Sequence, residues 1–377
     1  MSSTTSSGLF ASTGAFYITN GQVVGPTGQP FQAHGIDIME GNQPSASTLQ
    51  KDFPGINFVR LAIYDYANPA SLVSYVTSLT SQGIVVELED HSNSNGSNAG
   101  GSSGNIFTGS QLTNELSWYA SISSAFKSNP YVWFGTDNEP SETNASGNQD
   151  RAALSTWQQQ TYQAIRNTGN TSPIMLEANS WGAGQTNVGY TASAYAAMHD
   201  VIWDVHYYGW VSGYSTNQTT VTSTLSSITA QAQQITSADG TIPIIVGEYG
   251  NSTSGASIDP NATQVIQAVQ ASGYGYTAWA WGDGNPGDGL TSGSGLSSYG
   301  QQVAAGIAAS AAATTTPTPT PTPTSVSGEI TPASAGSLTD GSGNKWTLTV
   351  GGVVAENGNA VPDSAGTSAF ALVNNAP

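Results

Sequence analysis

The sequence contains no cysteine, and only 8% of its residues are charged. Without cysteine the chain has neither a disulfide framework nor a cysteine metal site. Ordinary soluble proteins carry roughly 25% charged residues, so the surface of this protein is polar mainly through Gly, Ser, Thr, Asn and Gln. The low charge favours a secreted protein, although chance drift or a salt-tolerant surface would also produce it.

Basic residues are the scarcest charged class: 6 Lys and Arg stand against 24 Asp and Glu, a formal net charge of −18 at pH 7. Binding to nucleic acid or to an anionic membrane needs clustered basic residues, so we expect neither partner. No stretch is apolar enough to span a bilayer. The first ten residues lack the basic start and apolar stretch of a signal peptide, and we interpret the chain as the mature form of a secreted monomer.

A run of alternating Thr and Pro between residues 314 and 324 favours extended polyproline II, which is typical of a linker. We therefore predict a large domain (1–312), a linker (313–325) and a tail (326–377). In the tail, residues 345–350 alternate like a strand and residues 353–356 can pair with them. The tail is predicted to be a small β module, incomplete or carbohydrate-binding, with Trp346 as its single tryptophan.

Before the linker, short apolar runs alternate with longer amphipathic stretches, which is typical of βα units with parallel strands. Eight runs are predicted strands: residues 32–38, 57–63, 84–89, 131–135, 174–177, 202–206, 244–247 and 276–281. The better helix candidates are residues 71–81, 113–126, 152–168, 219–236 and 263–272. Eight repeats indicate a closed α/β (β/α)8 TIM barrel. An open doubly wound sheet is the alternative, although no Gly-x-Gly-x-x-Gly loop follows an early strand.

Polar residues gather at the predicted carboxyl ends of the strands, which form the mouth of such a barrel. Glycosidic cleavage needs two carboxyl groups there. One protonates the leaving oxygen, and the other attacks the anomeric carbon or activates water. Glu139 after the fourth strand and Glu248 at the end of the seventh are the natural pair on opposite sides of the mouth, and we expect retention of configuration.

Residues 31–281 resemble glycoside hydrolase family 5, a family of (β/α)8-barrel retaining glycosidases. The resemblance is most specific in Asn138-Glu139-Pro140, in His206-Tyr207-Tyr208 and in the run Ile-Val-Gly-Glu-Tyr-Gly at 245–250. It implies that Glu139 is the acid/base and Glu248 the nucleophile.

The same resemblance implies supporting roles around this pair. Asn138 would hydrogen-bond the 2-hydroxyl of the reacting sugar, and Arg60 and Tyr208 would orient the nucleophile. Many members have Gly-x-Asn at the end of the first strand, where this chain has Gly35-Ile36-Asp37. Two histidines would line the subsite and a tryptophan would form its stacking floor: His91, His206 and Trp281.

Two further tryptophans, Trp181 and Trp210, follow the fifth and sixth strands and are candidates for flanking subsites, because flat aromatic faces pack against sugar rings. Each could instead be a core residue. The pattern Glu89-x-His91 is similar to that of mannan-cleaving relatives, so Glu89 is expected to help build the site without acting as a catalytic acid. Glu142 and Glu177 are expected at its rim or behind it.

We predict no metal and no cofactor, since the sequence has no His-Glu-x-x-His run and no tight histidine spacing. A serine hydrolase is disfavoured because no Gly-x-Ser-x-Gly elbow stands at a strand–helix junction. The prediction is a retaining, endo-acting hydrolase of β-1,4-linked polysaccharide, with an endoglucanase as first choice and a mannanase as the alternative. A noncatalytic carbohydrate-binding barrel is disfavoured because both carboxyl groups are present.

Overall fold

The computed structural model divides the chain into two compact units, Met1–Ala313 and Thr314–Pro377. It describes residues 14–92, 106–140, 151–178, 182, 190–208, 218–232, 234–250, 262–283 and 289–315 of the first unit. In the second unit it describes residues 329–330, 337–339, 345–348, 353–357, 359–361 and 370–371.

Eight parallel strands close into a barrel in the first unit. They are β1 (His34–Met39), β2 (Phe58–Ile63), β3 (Val85–Asp90), β4 (Val132–Gly135), β5 (Ile174–Glu177), β6 (Val201–Tyr207), β7 (Ile244–Tyr249) and β8 (Gly275–Trp281). Each strand pairs with its successor, and β8 pairs with β1. The predicted closed barrel is confirmed with all eight strands, and the open-sheet alternative is wrong because β8 and β1 are hydrogen-bonded.

Helices cover the outside of the barrel. In the described part of the chain they are α1 (Ala46–Asp52), α2 (Pro69–Thr80), α3 (Gly109–Phe126), α4 (Arg151–Arg166), α5 (Ala192–Tyr195), α6 (Gln218–Ala232), α7 (Ala262–Ala271) and α8 (Ser298–Thr315). The five predicted helices correspond to α2, α3, α4, α6 and α7. Sequence periodicity missed α1 and α5 because they are short, and α8 because it is rich in Ala and Gly. Among the described residues no helix has both the length and the apolar character needed to cross a membrane.

Aromatic side chains fill the amino-terminal end of the barrel, opposite the mouth. The indole of Trp133 on β4 lies edge-on to Phe16, Phe31 and Phe58, with ring centroids 5.2, 5.7 and 5.3 Å away. An antiparallel hairpin of Tyr17–Thr19 and Gln22–Val24 supplies further apolar residues to the same cluster. This end is therefore packed, which leaves the opposite end for chemistry.

The second unit contains a small antiparallel sheet. Its four strands are Ser337–Thr339, Lys345–Leu348, Val354–Glu356 and Asn359–Ala360, so the predicted pairing of the two central strands is confirmed. Trp346 is 8% exposed and packs with Leu348 and Val354. Trp346 is therefore part of a small hydrophobic core on this sheet, and its ring does not form an exposed sugar-binding face. Of the predicted linker, 313–325, the first three residues belong to the end of α8, and residues 316–325 lie outside the described residues.

Candidate active site

The two predicted catalytic carboxyl groups come together at the mouth. Glu248 is the second-last residue of β7, where the pairing with β6 shifts register between Val246 and Glu248. A bulge of this kind redirects the following side chain. Gly247 is required at the shift because a Cβ there would overlap the carboxylate of Asp204. The result is that Glu248 stands directly opposite His206 on β6.

Glu139 follows β4 by four residues and adopts φ +46°. A residue other than glycine keeps its backbone in this left-handed region only when the surrounding structure holds it there. The Nδ1 of His206 donates to Oε1 of Glu139 at 2.9 Å, and the side chain keeps 15% of its surface exposed. Carboxylate oxygens of Glu139 and Glu248 and a ring nitrogen of His206 all lie within 4.8 Å of one another.

Both oxygens of Glu248 accept hydrogen bonds from residues on other strands. Nη1 of Arg60 donates to Oε1 at 2.6 Å, and the hydroxyl of Tyr208 donates to Oε2 at 2.9 Å. Nη2 of Arg60 also donates to Oδ1 of Asn138 at 2.7 Å. One guanidinium thus fixes the relative positions of Glu248 and the residue before Glu139, a geometry that its planar fork of donors suits.

His91 at the end of β3 builds another side of the mouth. Its Nδ1 donates to Oε1 of Glu89 at 2.8 Å, and its Nε2 accepts from Nδ2 of Asn138 at 3.3 Å. The indole of Trp279 stacks on the imidazole with ring centroids 5.0 Å apart and planes 19° apart. The expectation that Glu89 helps to build the site agrees with its bond to His91.

Trp279 and Trp281 near the end of β8 lie in different surroundings. The ring of Trp281, the predicted stacking floor, packs edge-on to Phe53 at the end of α1, with 6.3 Å between centroids. Trp279 reaches the site by stacking on His91. The physical reason is an extra residue in β8: Ala278 pairs with Ile36 and Trp281 with Ile38, so strict alternation of faces is lost.

Three further predicted residues have no structural account. Trp181 and Trp210 lie outside the described residues, and so does Glu142. Glu177 is described, and of the two expected positions, at the rim or behind the site, it takes the second. Its side chain is 1% exposed inside the barrel, where Oε1 lies 3.2 Å from Nε2 of His206.

Acidic side chains surround Arg60 beneath the catalytic pair. We call this group the Arg60 cluster, and it consists of Arg60 with Asp37, Glu87, Glu89, Glu177 and Asp204, whose oxygens lie 3.4 to 3.9 Å from the guanidinium. All are at least 98% buried. Glu87 and Glu89 point to the same face, as their alternation in β3 predicts. Sequence reasoning identified neither the cluster nor the burial of Glu177, because five strands supply its members.

The carboxyl groups around Arg60 differ in the direction in which their pKa is shifted. Burial raises the pKa of Asp37, Glu87 and Asp204, and Arg60 only partly offsets this effect. Burial would also raise the pKa of Glu248, but His206 and Arg60 together hold it below its usual value. Glu248, which has the shortest contact to the guanidinium, therefore keeps its charge.

The imidazole of His206 is the second fixed cation of the site. Its Nδ1 faces Glu139 at 2.9 Å and Glu248 at 3.6 Å, while Nε2 faces Glu177 at 3.2 Å and Asp204 at 3.9 Å. Burial lowers the pKa of His206, but these carboxylates, Glu177 first, raise it well above the usual value. An imidazolium between carboxylates fits this geometry.

Three groups of described residues place their donor atoms within 4.8 Å of one another, close enough to share a metal ion: Glu139, His206 and Glu248; Glu177, Asp204 and His206; Asp90, Glu115 and Asp137. In the first two groups His206 already faces carboxylates on both ring nitrogens. This arrangement suits proton transfer and the attack of a carboxylate better than metal ligation, because a metal ligand nitrogen must be free of its proton.

A family model described as cellulase (glycosyl hydrolase family 5) matches residues 24–285. Among curated proteins none matches the sequence of this chain. One similar solved structure is the catalytic domain of a mannanase from Streptomyces sp. SirexAA-E, with 22% identity and a TM-score of 0.58 over 81% of this chain and 94% of that chain. Another is the catalytic domain of endoglucanase Cel5A from Thermobifida fusca, with 17% identity and a TM-score of 0.59 over 78% and 97%. A third is a β-mannanase from Thermomonospora fusca, with 19% identity and a TM-score of 0.58 over 78% of this chain and 96% of that chain.

Proposed function

This chain belongs to glycosyl hydrolase family 5, and on that premise we propose that it is a retaining, endo-acting hydrolase of β-1,4-linked polysaccharide. The observation that carries the proposal is the approach of carboxylate oxygens of Glu139 and Glu248 to within 4.8 Å. Retaining glycosidases hold these groups about 5–5.5 Å apart, and inverting ones about 6.5–9.5 Å apart, to leave room for water. The short spacing supports direct attack by one carboxylate.

Glu248 is the nucleophile in this proposal. Its lowered pKa keeps it ionised, and bonds from Arg60 and Tyr208 hold both oxygens. One oxygen attacks the anomeric carbon and forms a bond to it as the bond to the leaving oxygen breaks, which gives a covalent glycosyl-enzyme.

Glu139 is the acid in the first step and the base in the second. It gives its proton to the leaving oxygen and later takes one from the water that attacks the glycosyl-enzyme. His206 donates to its Oε1 and so orients the carboxyl group. Asn138, held by Arg60 and His91, is positioned to bind the 2-hydroxyl of the reacting sugar.

Glucan is the first candidate substrate, because the matching family model is described as cellulase and one structural neighbour is an endoglucanase. Mannan is the second candidate, supported by the contact between Glu89 and His91 and by the mannanases among the structural neighbours. A polymer of either kind is outside the cell that digests it, which supports secretion.

The test measures reducing ends released from carboxymethyl cellulose, β-mannan, xylan and laminarin by the wild-type protein and by Glu139→Gln and Glu248→Gln. We expect one preferred polymer and a loss of about 10²- to 10⁴-fold in each variant. Viscosity should fall early, as endo action requires, and proton NMR of fresh product should show the β-anomer first. A first product in the α-form would overturn retention, and activity that survives both substitutions would mean that other carboxyl groups act.

A further inference from the structure

A cavity of about 920 Å³ lies beside the carboxyl end of β8. Its walls come from the end of β8, from α1 and from the hairpin of Thr291–Ser292 and Gly295–Leu296. Trp281 lines it, together with Asn42, Thr48, Lys51 and Asp283. Glu139 and Glu248 are not among its lining residues, so it is distinct from the catalytic pair.

The cavity adjoins the mouth through a continuous set of contacts. The imidazole of His91 stacks on Trp279 at 5.0 Å. Nε1 of Trp279 donates to Oδ2 of Asp283 at 2.8 Å, and Asp283 is part of the cavity wall. Trp279 therefore contacts both His91 at the mouth and Asp283 in the cavity wall.

The lining has the chemistry that an uncharged sugar requires. Hydroxyl groups of Thr48 and Thr291 and the amide of Asn42 can both donate and accept, and the partly exposed indole of Trp281 offers an aromatic surface. Lys51 lies 3.2 Å from Asp52, so the cavity carries no uncompensated positive charge for an anionic ligand. Gly293 and Gly295 also line the cavity and have open space where a Cβ would stand, so no side chain projects from the wall at these two positions.

We propose that this cavity, which we call the Trp281 cavity, is a remote subsite that binds sugar units of the substrate chain beyond those held at Glu139 and Glu248. The inference rests on the proposed function for the identity of the polymer. In this subsite a pyranose ring packs against Trp281 while its hydroxyl groups bond to Asn42 and Asp283. Its volume lies in the range of ligand pockets, about 300–1,000 Å³.

The test compares the binding of a triose and a hexaose of the same glycan by calorimetry, with Glu248→Gln in every protein to prevent turnover. Cellotriose and cellohexaose are used together with mannotriose and mannohexaose. We expect the hexaose to bind more tightly than the triose. Trp281→Leu, which retains apolar contact with Phe53, should weaken hexaose binding about tenfold, the size of one aromatic contact, and leave triose binding unchanged. Trp281→Tyr should restore most of the affinity, and Asn42→Ala should weaken only the hexaose.

The subsite is overturned if the hexaose gains no affinity over the triose, if Trp281→Leu leaves hexaose binding unchanged, or if it weakens both oligosaccharides equally. The proposed function fails separately, when the wild-type protein hydrolyses none of the four polymers. Because binding is measured without turnover, length-dependent affinity that needs Trp281 supports the subsite in either case. Val73→Ala, at an exposed site on α2, is the matched surface control and should bind both oligosaccharides normally.

Discussion

Two groups of buried carboxyl groups in this protein differ in what surrounds them. The Arg60 cluster lies inside the barrel and contains a guanidinium, with the imidazole of His206 beside it. A second group, which we call the Asp90 cluster, consists of Asp90, Glu115 and Asp137, whose oxygens lie within 4.8 Å of one another. In the described part of the chain neither Asp90 nor Glu115 forms an ion pair.

The contrast separates the effect of burial from the effect of charge. Burial raises the pKa of Asp90 to about 7 and raises that of Glu115 well above its usual value, and only neutral groups such as Ser92 and Trp157 oppose it. Glu248 is buried as well, yet its pKa falls because His206 and Arg60 face it. A carboxylate can therefore be kept ionised for attack in this fold only where a fixed cation has been built next to it.

The largest effect is expected when the guanidinium of Arg60 is replaced, because Arg60 helps to keep the pKa of Glu248 low. Arg60→Lys keeps one positive charge but cannot bond Glu248 and Asn138 together as the fork does. We expect kcat to fall by about 10²-fold or more. The pKa of Glu248 should rise, so the acidic limb of the kcat/KM profile should move to higher pH. Arg166→Lys, at an arginine that bonds only backbone carbonyls, is the control and should keep the wild-type profile. An unchanged acidic limb in Arg60→Lys would contradict this prediction, because it would show that a single positive charge at this position holds the pKa of Glu248 without the fork.

The second prediction concerns the cation on the other side of Glu248. Glu177→Gln removes the carboxylate nearest to Nε2 of His206, which is the largest cause that raises the pKa of His206, so this pKa should fall. The chain has four histidines, and NMR titration of their ring signals measures this value directly. Glu87→Gln is the matched control, because Glu87 contacts Arg60 and not His206. If the two variants give the same His206 titration, Glu177 does not hold the imidazolium.

The smallest effect is expected in the Asp90 cluster, on stability. Because the pKa of Asp90 is raised from 3.8 to about 7 in the folded protein, the folded state binds its proton more tightly than the unfolded chain. The contribution of Asp90 to the free energy of unfolding is present at low pH and is lost as the pH rises from about 4 to about 7. Asp90→Asn keeps an acceptor for the backbone N–H of Ser92 and should remove this loss.

Urea unfolding at pH 4 and pH 7 checks the prediction. The variant should gain stability relative to the wild type as the pH rises, by a few kcal/mol at most. Val73→Ala, at an exposed position without a titratable group, should show no such gain. Equal pH dependence in Asp90→Asn and the wild type would mean that the carboxyl of Asp90 has an unrecognised cationic partner.

The fold and the meeting of Glu139 and Glu248 at the mouth could both be predicted from local patterns. Each strand appears as a short apolar run because parallel barrel strands are buried on both faces, and α2, α3, α4, α6 and α7 have visible periodicity. Glu139 and Glu248 stand in short motifs at strand ends, where the barrel topology alone brings them to one mouth. Arg60, Asn138, His91, His206 and Tyr208 were placed by the same rule, and the structure brings all of them into contact with one another or with the pair.

Tertiary structure alone decided the rest. Which carboxyl groups keep their charge depends on contacts such as that between Arg60 and Glu248, 188 residues apart in sequence, and no local pattern encodes such a distance. The different surroundings of Trp279 and Trp281 depend on one extra residue in the pairing of β8 with β1. The sequence therefore determined which residue types reach the mouth, whereas barrel closure determined their neighbours, because a pKa and a stacking contact depend on what lies within a few ångströms in space.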